Sequence, residues 1–160
     1  MKKKQTNKDK FYKNGFITFK NFFNKKEINS FEEYLLKTYS KHLQVKLNKK
    51  NIHSIIAGIE KKKKYDLLYK ALKDYNDTLP FKEASKKLIK FSKKFFNNDY
   101  KNVASGMAIG INNSKRTAYK WHQEKPYYKK ISTIHYQFPI FNACNLKNGT
   151  MSVLAGSHKI

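Results

Sequence analysis

The sequence predicts an α+β fold, with helices first and antiparallel strands after, and three observations carry that expectation. Between residues 24 and 96, apolar side chains recur at steps of three and four, the period of a helix with one buried face. From residue 103 onward the period changes to two, the mark of an extended chain with one face covered. No internal repeat occurs at any fixed period, so a solenoid or propeller is not indicated. Helical segments followed by a run of short strands belong to a layered α+β domain whose β portion would be a sandwich or barrel.

Taken in order, residues 1–10 are polar and basic and are expected to fray. Asn14-Gly15 reads as a turn, and Phe16-Ile17-Thr18-Phe19 as a short strand behind it. Asn24-Lys25-Lys26-Glu27 has the form of a capping box. Ile28, Phe31, Leu35 and Tyr39 then mark one face of the helix it opens. Residues 45–59 carry no clear period. A second helix presents Tyr65, Leu68, Leu72 and Tyr75, with Lys61 to Lys64 opposing the helix dipole at its start. A third runs from about Thr78 to Phe96, with Ala84, Leu88, Phe91 and Phe95 as its buried stripe. Strands are expected at 103–111, at 131–138 and at Met151 to Leu154. In the first of these, bulky Val103, Met107, Ile109 and Ile111 alternate with Ala104, Gly106, Ala108 and Gly110. The 160 residues therefore read as one domain: a basic tail over 1–10, a mainly helical part over 11–100, and strands over 101–160.

Composition narrows the function classes. The net charge is +24, yet only Arg116 is arginine and the other 34 basic residues are lysine. Base-edge recognition favours the planar guanidinium fork, so no sequence-specific nucleic-acid partner is expected. Lys, Asn, Ile, Phe and Tyr fill 86 of the 160 positions, the pattern of A/T-rich codons. Codon bias is the stronger explanation of the lysines and a functional basic surface the weaker. No apolar run is long enough to cross a bilayer, and no apolar stretch follows Met1-Lys2-Lys3-Lys4, so the expected location is cytoplasmic. The lone Cys144 allows neither an internal disulfide nor a multi-cysteine zinc site.

One segment concentrates chemically capable groups, Trp121-His122-Gln123-Glu124. In extended chain, residues two apart project to the same side, so His122 and Glu124 are candidate ligands to one metal ion. An imidazole and a carboxylate are two thirds of the facial triad of non-haem iron(II) oxygenases. Glu124 is also the sole acidic residue after Asp99. The competing reading of the pair is a strand-surface ion pair with a nearby lysine.

The run Trp121-His122-Gln123-Glu124, Tyr127-Tyr128, Phe138-Pro139-Ile140 and Asn148-Gly149-Thr150 through Gly156-Ser157-His158-Lys159 resembles the phytanoyl-CoA dioxygenase family. That family's pattern is His-x-Asp, a hydrophobic strand, then Asn-Gly-x-Leu-x-x-x-Pro-Gly-Ser-His-Lys. Gly15-Phe16-Ile17, Phe22-Phe23 and the capped helix resemble its opening. The resemblance implies helices packed on a double-stranded β-helix, a cupin-like jelly roll. It also implies Fe(II) as metal, with 2-oxoglutarate and O2 as co-substrates for hydroxylating a small organic molecule. It assigns His122 and Glu124 as iron ligands and Phe138 as an aromatic lining the co-substrate pocket. Asn148, Gly149, Gly156 and Ser157 become structural turns. Glu124 stands where the family has aspartate, and Ala155 where it has proline. The family's second histidine ligand and its 2-oxoglutarate-binding arginine have no counterpart before Ile160. The expectation is therefore an oxygenase fragment, its jelly roll incomplete at the C-terminal end and its activity lost. The alternative is a small basic module that binds polyanions, either nucleic acid or anionic lipid.

Overall fold

The structure is a computed structural model that describes residues 6–59, 61–97, 134–141 and 151–159. The described residues form five α-helices, α1 (Asn7–Asn14), α2 (Lys25–Leu43), α3 (Ile52–Gly58), α4 (Lys61–Asn76) and α5 (Leu79–Phe96), with a 3-10 turn at Ser157–Lys159. The capping box opens α2: the Glu27 amide donates to Asn24 Oδ1 at 2.9 Å, and the Asn24 amide to Glu27 Oε2 at 2.6 Å. Two of the four orphan donors at the helix start are thereby satisfied. A left-handed residue, Gln44, ends it.

α2 packs on both α4 and α5. Its stripe Phe31, Leu35 and Tyr39, spaced by four, is buried along its length. Leu35 and Tyr39 join Leu47, Ile52 and Ile56 of the α3 region and Ala71 and Tyr75 of α4 in one cluster. Phe31 joins Phe23 and the α5 residues Ala84 and Leu88 in a second. The phenols of Tyr39 and Tyr75 sit in the first cluster, and burial pushes the Tyr75 hydroxyl up to about 12. Tyr39 is raised further by burial and by Tyr75 beside it, so both rings act as neutral core side chains.

The N-terminal region differs from the expected frayed tail. Thr6 and Asp9 form a capping box of their own, with Asp9 N–H donating to Thr6 Oγ1 at 3.1 Å and Thr6 N–H to Asp9 Oδ2 at 2.9 Å. Asn14-Gly15, expected as a turn, is the C-terminal cap of α1, with Gly15 at φ +82°.

The α+β expectation is overturned: the described residues are helical and contain no strand, so no jelly roll is formed by them. Residues 16–19, 134–138 and 151–154, each expected as strand, run without a ladder partner among the described residues. The expected alternation is present in the burial of the first two, whereas residues 151–154 are exposed throughout. Ile17 and Phe19 are half-buried while Phe16 and Thr18 are exposed. Ile134 and Tyr136 are half-buried while His135 and Gln137 are exposed. A period of two reports an extended chain covered on one side, and here the cover is a helix. Phe19 meets Phe91 at 5.0 Å and Phe95 at 5.7 Å. Residues 103–111 lie outside the described residues.

Leu35 is fully buried, so Leu35→Ala is expected to cost about 2–5 kcal/mol of unfolding free energy. Asn24→Ala, which leaves the core intact, is expected to cost about 1 kcal/mol. Urea unfolding followed by circular dichroism measures both.

Candidate functional site

Two described segments belong to the run that carries the sequence motifs, and both are docked on the helices. The first, residues 134–141, is extended and lies across α2 and α5. The buried Ser92 of α5 gives its hydroxyl proton to Leu88 O at 2.7 Å, so the Tyr136 hydroxyl, 2.6 Å away, donates to Ser92 Oγ. Phe138 rests its ring 4.7 Å from Phe23 and 5.7 Å from Phe31 and stays 37% exposed. Ile140 packs against both core clusters. Phe141 reaches the first cluster and stands edge-on to His53 at 6.3 Å.

The second segment, residues 151–159, closes on the end of α1. Gly156 adopts φ +85° and donates its amide to Asn14 O at 2.8 Å. His158 Nε2–H donates to Tyr12 O at 3.1 Å. These carbonyls belong to the last turn of α1, which a helix leaves without internal donors. Gly15 fits beneath the imidazole only because it has no side chain: a Cβ there would collide with the His158 ring. Ser157 N–H bonds back to Leu154 O at 3.2 Å, opening the 3-10 turn.

The remaining candidates divide between the two parts of the chain. His122, Glu124, Asn148 and Gly149 lie outside the described residues. His135 is exposed beside Tyr136. Among the described residues, no three His, Cys, Asp or Glu side chains converge as a metal-binding group.

The helical part holds a polar pair that the sequence reading does not anticipate. His42 Nε2–H donates to Asp74 Oδ2 at 2.8 Å, and Lys41 Nζ stands 3.6 Å from the same oxygen. The hydrogen bond from His42, helped by its charge and that of Lys41, holds the Asp74 carboxyl below the usual aspartate value. Thirty-two residues separate the pair, so no local spacing signals it. Beside it an open cleft of about 530 Å³ is lined by Tyr34, Lys37, Thr38, Lys41, Asp74 and the α4–α5 turn. Both threonine hydroxyls of the cleft donate to backbone carbonyls, Thr38 to Tyr34 O and Thr78 to Tyr75 O, each at 2.7 Å. They are therefore engaged as helix back-bonds and not presented as nucleophiles.

The α1 helix was within reach of local reasoning, because Thr6-x-x-Asp9 is a capping box. The link between α1 and Gly156-Ser157-His158 spans almost the whole chain and has no local signal. No protein-family model, no curated protein and no solved structure matches the chain.

Two outcomes follow from this geometry. Gly15→Ala forces a side chain into a left-handed position and against His158, and is expected to lower stability by about 1–2 kcal/mol or more in urea unfolding. Because the folded pKa of Asp74 is depressed, its contribution is complete above the ordinary value of 3.8 and lost as the pH falls through the lowered one. The unfolding midpoint should therefore drop less steeply on acidification through that range in Asp74→Asn than in the parent protein.

Proposed function

We propose that this chain carries the metal-holding pair of an Fe(II)- and 2-oxoglutarate-dependent oxygenase similar to the phytanoyl-CoA dioxygenases, acting on a small organic substrate. The observation that carries the reading is the ordered run from Trp121-His122-Gln123-Glu124 through Phe138-Pro139-Ile140 and Asn148-Gly149 to Gly156-Ser157-His158-Lys159. An ordered series of spaced motifs is far more specific than one His-x-Glu pair. The parts of this run at 134–141 and 151–159 are seated on the helices through Phe138, Tyr136, Gly156 and His158.

The pair requires only extended backbone, not a β-sheet. Residues 134–137 illustrate the point, since they alternate in burial with no ladder partner among the described residues. An imidazole nitrogen and a carboxylate oxygen form a donor set suited to Fe(II). His122 and Glu124 would hold the ion, which when bound supplies the oxidising chemistry that no amino-acid side chain provides. Glu124 is one methylene longer than the aspartate usual in the family, and a carboxylate of that length would still serve as a ligand. Phe138 has one side of its ring on Phe23 and Phe31 and the remainder exposed, which suits it to bear on a bound organic acid. His158 is taken up by Tyr12 and is not assigned to the metal.

A titration with Co(II), followed by its visible absorption, tests the pair directly. The expected result is stoichiometric binding that weakens about tenfold or more in His122→Ala and in Glu124→Ala, as loss of a ligand implies. His158→Ala should leave it unchanged. Metal binding indifferent to both ligand substitutions overturns the reading.

A further inference from the structure

The outer side of α5 is dominated by positive charge. Lys82, Lys86, Lys90 and Lys94 recur every fourth residue and are all exposed, about 6 Å apart along the axis and about 18 Å from first to last. The sole acidic residue of α5 is Glu83, which pairs with Lys86 at 3.2 Å. Lys82, Lys90 and Lys94 have no acidic partner among the described residues. On α2, by contrast, Glu27, Glu32 and Glu33 interrupt the lysines. At its C-terminal end α5 meets α1, whose Phe11 stands edge-on to Phe96 at 5.0 Å and to Phe95 at 6.2 Å. Lys8, Lys10, Lys13 and a Tyr12 that is 52% exposed are thus brought to that end of the row.

The chemistry of the partner follows from what lies on the other side of α5. A helix that binds a bilayer buries its apolar face among the acyl chains. That face of α5 is already occupied: Ala84 and Leu88 are buried in the core, and Phe91 packs on Phe19 and Phe22. What remains is a row of flexible point charges, winding about 40° around the helix at each step, with an exposed aromatic ring near its end. Lysine ammonium groups neutralise phosphates without reading bases, and a tyrosine offers a stacking surface to any base.

We infer that the outer side of α5, extended by α1, is a sequence-independent binding surface for single-stranded nucleic acid. The surface stands apart from the oxygenase reading and does not depend on it. Its affinity is electrostatic and falls steeply with salt, each neutralised phosphate of a single strand contributing about 0.7 to the logarithmic slope.

The test is fluorescence anisotropy of a labelled oligothymidylate across a salt series, with two variants of equal net charge. One carries Lys82→Gln, Lys86→Gln, Lys90→Gln and Lys94→Gln. The other carries Lys46→Gln, Lys50→Gln, Lys70→Gln and Lys73→Gln, exposed lysines of α4 and the α2–α3 connection. The α5 variant should bind about tenfold or more weakly at moderate salt, with its slope reduced by about 3, while the control stays near the parent. Tyr12→Ala should weaken binding at high salt, where stacking is the larger part. Equal losses in the two lysine variants would show that only total charge matters and would overturn the inference. So would a parent protein that ignores the oligonucleotide and instead binds phosphatidylserine vesicles through the same four lysines.

Discussion

Phe31, Leu35 and Tyr39 share one stripe of α2, yet they are buried by different neighbours, and the described structure depends on that sharing. Phe31 belongs to the cluster built on α5 and Phe23. One turn later Leu35 and Tyr39 belong to the cluster built on α3 and α4. A rigid helix thus holds two small cores at a set separation, and neither is large. Each fully buried side chain contributes about 1.5–3 kcal/mol, against a total stability of order 10 kcal/mol for a domain of this size. The segment 134–141 rests on both clusters through Ile140, so its docking presupposes that both have formed.

Four of the carboxylates in the helical part have distinct tasks. Asp9 closes the start of α1. Glu27 closes the start of α2 and also receives Lys87 of α5 at 2.7 Å, while the same ammonium lies 5.0 Å from the Phe23 ring centre. Glu32 holds Lys49 of the α2–α3 connection at 2.6 Å, and Asp74 ties α4 to the last turn of α2. Burial of Glu27 opposes its ionisation, but hydrogen bonds from Lys87 and the Asn24 amide outweigh that and lower its pKa. In a chain of net charge +24 these joints place negative charge where helices begin and where they meet, and leave the outer side of α5 almost unopposed.

Legibility in the sequence tracked the range of each interaction. The Asn24–Glu27 box and the stripe of α2 were readable because they are complete within one or two turns of chain. The Thr6–Asp9 box was just as local, but the basic composition around it pointed to a frayed tail. Alternation at 16–19 and 134–138 reported one-sided burial faithfully and the identity of the covering element not at all. A helix surface and a neighbouring strand impose the same period of two on an extended chain, so segments lying on helices in the described residues carry the pattern of strands.

Side chains a few residues apart were thus enough to set the starts of α2 and α5, their buried stripes and the order of the motifs, but not α1 or α3. Only the tertiary structure decided that extended segments lie on helices, that His42 meets Asp74, and that His158 covers Gly15 at the end of α1. Those contacts join residues far apart in the chain. Their partners are selected by which surfaces meet once α2 has brought the two clusters together, and no local period encodes that choice.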